Sequence, residues 1–121
     1  MAVNNLKAQL IGYRNVKTRG YNETYRNKAS AKVTLIVMLP NGIEQDIYIE
    51  FNSSKGKVTP EEKEAQIYEY LNQIIYEKTI VKVKEQIRQN NYTYETYKPF
   101  YYMDTQDKVY KHLDLILNGN R

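Results

Sequence analysis

The segment from Ala31 to Phe51 constrains the fold more than any other part of the chain. Two apolar-rich runs, Ala31–Leu39 and Ile43–Phe51, flank Pro40-Asn41-Gly42. An Asn-Gly pair accepts the positive φ that a tight reversal requires, so the segment reads as a β-hairpin. The second run alternates: Ile43, Ile47, Ile49 and Phe51 share one side, and Glu44, Asp46, Tyr48 and Glu50 the other. That is the period of a strand with one face on a core. The far end of the first run is apolar on both faces, which predicts a central place in a sheet.

Elements of the same kind flank this hairpin. Leu6–Tyr13 reads as a first strand, with Gly12 near its end where a bulge or bend is tolerated. Residues 14–29 carry charges and turn formers without an apolar period, which predicts a long loop or extended hairpin. After a polar stretch at 52–57, Thr59 is placed to cap a helix over 60–77, with Pro60 in its first turn and Glu61 and Glu62 at its positive end. Ile67, Leu71, Ile74 and Ile75 form its apolar stripe. The β-branched run Thr79-Ile80-Val81-Lys82-Val83 predicts a fourth strand over 79–88; the alternative is a helix continued to about Gln89. Asn90-Asn91 then turns the chain, Tyr92–Tyr97 reads as a fifth strand, and Pro99 ends it or marks it as an edge. Thr105 is the expected start of a last helix with Val109, Leu113, Ile116 and Leu117 on one face, stopped by Asn118-Gly119.

This order predicts an α+β fold, and 121 residues suit a single domain over 1–121. With its first strand at Leu6–Tyr13, its 31–39/43–51 hairpin, its helix at 60–77 and strands at 79–88 and 92–98, the chain resembles the OB-fold over residues 5–98. The resemblance is one of element order, without a signature motif. It implies a small five-stranded antiparallel barrel with a helix between strands 3 and 4, to which 105–118 adds a C-terminal helix. The alternative is an antiparallel sheet packed on one long helix. The resemblance also implies a binding surface on the face of strands 2 and 3, between the 14–29 and 89–91 loops.

The residues in those loops suit such a surface. Arg14, Lys17, Arg19, Arg26, Lys28 and Lys32 are interleaved with Tyr13, Tyr21 and Tyr25. Cations track phosphates and aromatic faces stack bases of any identity, the two requirements of sequence-tolerant single-strand binding. The second loop repeats the pattern, with Lys82, Lys84 and Arg88 on one strand face and Tyr92 after the turn. The third strand opposes it: Glu44, Asp46 and Glu50 would repel phosphate, or would dock a protein partner.

Charge is distributed in blocks within the net +4. Residues 1–33 hold seven basic and one acidic residue, 34–77 three basic and eight acidic, and 78–103 five basic and two acidic. A polarised surface of this kind steers a polyanion to one side. With no cysteine there are no disulfides or thiolate metal sites, and a reducing, cytoplasmic setting is expected. No apolar run reaches membrane length, and MAVNNLKAQL, without a basic region followed by an apolar stretch, is not expected to be a secretory signal. His112, the only histidine, lies beside the last helix's apolar stripe and is expected to pack or to serve the helix end. No catalytic set, phosphate loop or metal-ligand spacing is legible, so neither enzyme activity nor a cofactor is expected. The 13 tyrosines, with abundant Asn, Lys and Ile, fit an AT-rich genome such as that of a low-GC bacterium, phage or plasmid. The expected function is sequence-tolerant binding of single-stranded DNA or RNA. The alternative is a protein-interaction module or inhibitor that docks through Glu44, Asp46 and Glu50.

Overall fold

The computed structural model describes residues 2–19, 30–52, 60–87 and 99–118. The hairpin forms as its pattern predicts, from β2 (Ser30–Met38) and β3 (Glu44–Asn52). Their register is antiparallel and unbroken from Ser30↔Asn52 to Met38↔Glu44. Gly42 takes φ +84°, and its N–H donates to the Leu39 carbonyl at 2.9 Å, closing a turn over Pro40 and Asn41. Ile43 falls in this connection and is 59% exposed, so the inward face of β3 begins at Ile47.

The first strand is longer than its apolar pattern. β1 runs from Ala2 to Arg19 and pairs with β2 as far as Arg19↔Ser30, so Arg14–Arg19 follow the extended-hairpin reading and not the loop one; residues 20–29 lie outside the described residues. Its first half pairs with β4 (Ile80–Ile87), from Ala2↔Ile87 to Gln9↔Ile80, and its second half with β2. Two register shifts, between Leu10 and Gly12 and between Arg14 and Lys17, each give β1 one residue more than β2. Asn15 sits in the second with φ +56°, a conformation asparagine tolerates better than most residues. Bulges bend and twist a strand, which lets β1 serve two neighbours as it wraps the core.

Between β3 and β4 lies α1 (Pro60–Tyr76). Ile67, Leu71 and Ile74 are buried and Ile75 half-buried, as the stripe predicts. The helix ends because Lys78 turns left-handed, φ +55°. Thr79 N–H then donates to the Ile74 carbonyl and Lys78 N–H to the Ile75 carbonyl, both at 3.0 Å, the paired bonds of a Schellman end. The β-branched run beyond it is therefore strand β4.

The fifth strand of the described sheet lies beyond Pro99. β5 is Phe100–Met103 and pairs with β4 from Val83↔Met103 to Gln86↔Phe100. Residues 90–91 and 92–97 lie outside the described residues, as does Thr59. The sheet order is β3-β2-β1-β4-β5, and β5 returns beside β3. The result is a nearly closed five-stranded antiparallel barrel with two helices, an α+β fold with the OB-like order of elements.

The last helix, α2 (Lys108–Asn118), starts three residues later than expected. Thr105 is exposed in the preceding turn, and Asp107 is the cap: its Oδ1 accepts the Val109 N–H at 2.8 Å. Val109, Leu113, Ile116 and Leu117 join the core with Leu10, Leu35, Val37, Ile47, Val81 and Val83. The Tyr110 ring meets Phe51 at 4.9 Å between centroids, tying α2 to β3. His112 stacks on Tyr70 of α1 at 4.0 Å, the packing role expected of it. Among the described residues, no helix is long and apolar enough to cross a membrane.

Candidate nucleic-acid interface

The two bulges decide which β1 side chains meet on the outside of the barrel. Ala8, Leu10 and Val16 point inward and are buried. Each extra residue reverses the inside–outside alternation, so Lys7, Arg14 and Lys17 all face outward despite their uneven spacing. At the β2 end, Arg14, Thr34 and Tyr48 form one row across three strands, and Lys17, Lys32 and Glu50 another. Tyr48 is 58% exposed.

The acidic side of β3 is not left uncompensated. Arg14 reaches across β2 to pair with Asp46, and Lys32 Nζ lies 3.5 Å from Glu50 Oε2. All four side chains are substantially exposed, so each pair contributes ~0–1 kcal/mol and weakens with salt. Tyr48 therefore stands between two ion pairs whose cations a phosphate can compete for. Glu44 is exposed at the end of the strand, opposite Met38.

At the β4 end, Lys82 and Lys84 lie on the outer face, because Val81 and Val83 between and beside them are buried. Lys7 stands opposite Lys82, and Lys84 stands between Asn5 and Tyr102 of β5. Tyr102 stacks with Phe100, centroids 5.6 Å apart and planes at 29°, and Phe100 is 51% exposed. Glu85, next along β4, accepts hydrogen bonds from the Asn4 amide at 3.1 Å and the Tyr101 hydroxyl at 2.7 Å. The Asn4 bond, then the Tyr101 bond, holds its carboxyl below the usual range; Glu85 pushes the Tyr101 phenol up in turn.

The expected binding residues thus do not all come together. Arg14, Lys17 and Lys32 come together at one end of β1, and Lys82 and Lys84 at the other. Tyr13 goes elsewhere: its ring packs 5.7 Å from Tyr68 and its hydroxyl donates to Asn72 Oδ1 at 2.9 Å, both on α1. Arg19 closes β1 opposite Ser30. Tyr21, Tyr25, Arg26, Lys28, Arg88 and Tyr92 lie outside the described residues. Lys7, Tyr48, Phe100 and Tyr102 were not among the expected residues. Tyr48 was legible, since the alternation of β3 already sets it outward; Lys7 acquires its place only from the β1–β4 pairing.

Among the described residues, no group of three or more His, Cys, Asp or Glu side chains is placed to hold a metal ion. No family model, no curated protein and no solved structure matches the chain.

Proposed function

We propose that the protein binds single-stranded nucleic acid, with little regard to sequence, along the outer face of β1. The observation that carries this reading is the line of Lys7, Arg14 and Lys17 on one strand, extended by Lys32, Lys82 and Lys84 on its neighbours. Exposed aromatic rings stand at both ends of that line, Tyr48 at one and the Phe100–Tyr102 stack at the other. A backbone laid on the cations would bring its bases within reach of those rings. The two ion pairs engage Arg14 and Lys32 as much as Asp46 and Glu50. Outside them the face carries Lys7, Lys17, Lys82 and Lys84 against Glu44, which favours strand binding over the alternative, protein docking through Glu44, Asp46 and Glu50.

Fluorescence anisotropy with a thirty-nucleotide single strand tests the proposal. If about five phosphates are neutralised, log affinity falls with log salt at a slope of about −3.5. Tyr48→Ala is expected to weaken binding by about 1–3 kcal/mol, the range for one stacked base. Its thermal midpoint should move little, because the ring is mostly exposed. No binding at low salt, or a Tyr48→Ala variant that binds as well as the parent, overturns this reading.

A further inference from the structure

One concavity of the surface gathers cations from three elements. Lys7 of β1, Lys82 of β4 and Lys108 of α2 line an open cleft of about 490 Å³, with Ile80, Gln106 and Asp107 completing its wall. The arrangement is electrostatically costly in isolation. Lys7 and Lys82 are direct cross-strand partners. The backbone of Lys82 shows which kind of pair they make: its N–H donates to Asp107 Oδ2 at 2.9 Å and its carbonyl accepts from the Asp104 N–H at 3.0 Å. Both groups therefore point away from β1, so Lys7 and Lys82 form a non-hydrogen-bonded pair, in which side chains stand closer together. Like charges directly opposite one another repel. None of the three ammonium groups has a carboxylate ion-pair partner among the described residues.

Asp107 keeps its negative charge in the cleft and offsets one of the three lysines. Its two oxygens are occupied by the Lys82 and Val109 N–H groups, so the carboxylate serves the backbone. The same bonds mean that the start of α2 is already capped, and the charge offered to a ligand is that of three lysines less one carboxylate. Three lysines less the Asp107 carboxylate leave about two positive charges around one cavity, which suit a dianion better than the single charge of an internal phosphodiester. A phosphate monoester carries about 1.5 to 2 negative charges near neutral pH. Ile80, 51% exposed on the rim, offers an apolar surface to whatever the phosphate is attached to.

We infer that the Lys7–Lys82–Lys108 cleft is a binding site for a phosphate monoester, either the phosphorylated end of a strand or a free phosphorylated compound. The site shares Lys7 and Lys82 with the surface proposed above but does not require that surface to hold a strand.

Two measurements on the full chain test it. In the first, inorganic pyrophosphate is titrated into the ¹⁵N-labelled protein at low ionic strength. Saturable shifts at the Lys7, Lys82 and Lys108 amides, lost in the K7Q/K82Q/K108Q variant, support the site. Absence of saturable shifts there in the parent protein overturns it, whatever the fate of the variant. In the second, thirty-nucleotide strands with a 5′-phosphate or a 5′-hydroxyl are compared by anisotropy. Roughly tenfold tighter binding of the phosphorylated strand, the scale of one charge-assisted hydrogen bond, assigns the site to strand ends. Equal binding, with the pyrophosphate shifts present, assigns it to free phosphorylated compounds. Pyrophosphate shifts with no binding of either strand leave this site standing and remove the strand-binding function.

Discussion

Asp107 shows how one residue can serve two elements. It is 4% exposed, and its carboxylate joins the first turn of α2 to the backbone of β4. Asp107→Ala would leave the Lys82 and Val109 N–H groups without their acceptor. The expected loss is about 1–3 kcal/mol in urea unfolding, the cost of a helix cap together with a stranded backbone donor. Asp107→Asn keeps an acceptor oxygen and should recover part of that loss. A variant Asp107→Ala as stable as the parent would show that water replaces both bonds. Thr105 and Asp107 are both capping residue types, and their immediate neighbours do not separate them. The choice falls to Lys82, 25 residues away, whose N–H finds the Asp107 oxygen.

At the scale of elements, the passage from α1 to β4 is decided at Lys78. The chain from Thr79 to Val83 has strand propensity, yet no glycine or proline stands before it to stop the helix. The stop is a lysine held left-handed, φ +55°, by the two bonds from Thr79 and Lys78 into the last turn. The Thr79 carbonyl then accepts the Leu10 N–H at 2.9 Å, which seats β4 on β1 as soon as the helix ends. Lys78→Gly relieves the left-handed strain and should raise stability by about 0.5–1 kcal/mol, less the entropy glycine adds to the unfolded chain. A fall in the unfolding midpoint would mean that the lysine side chain contributes more than its backbone costs. The bulges of β1 belong to the same scale. Read as an uninterrupted strand, Arg14 and Lys17 fall on opposite faces; the shift between them places both outside.

At the scale of the whole molecule, the packing of α1 against α2 predicts how stability responds to alkali. Tyr70 lies under His112, and its phenol is pushed up first by burial, then by the charges of Asp107 and Glu77. The folded state therefore keeps a proton that the unfolded chain releases near pH 10. Where the native state binds more protons than the unfolded state, stability falls as pH rises. The contribution is fully present below the unfolded pKa and is lost as pH climbs from about 10 through the raised folded value. Tyr101, raised through its bond to Glu85, adds to the same trend. Urea midpoints measured from pH 8 to 11.5 should decline at the alkaline end, and Tyr70→Phe should decline less. Equal slopes for the two proteins would remove Tyr70 as a cause.

What the sequence determined by itself was local: the β2–β3 hairpin, the stripe of α1, the strand propensity after Thr79 and the outward set of β3, Tyr48 included. Each follows from a repeat of 2 or 3.6 residues read over one element, or from a turn residue at its end. Their order was enough to predict a five-stranded barrel with a helix before the fourth strand. Tertiary structure decided the rest, because it depends on which segments pair. Pairing with both β2 and β4 extends β1 far beyond its apolar run and decides between loop and extended hairpin for Arg14–Arg19 in favour of the hairpin. The same pairing sends Tyr13 under α1, lays Arg14 over Asp46 and sets Lys7 against Lys82. Hydrogen bonds between distant segments set these positions, and no periodicity within one segment carries that information.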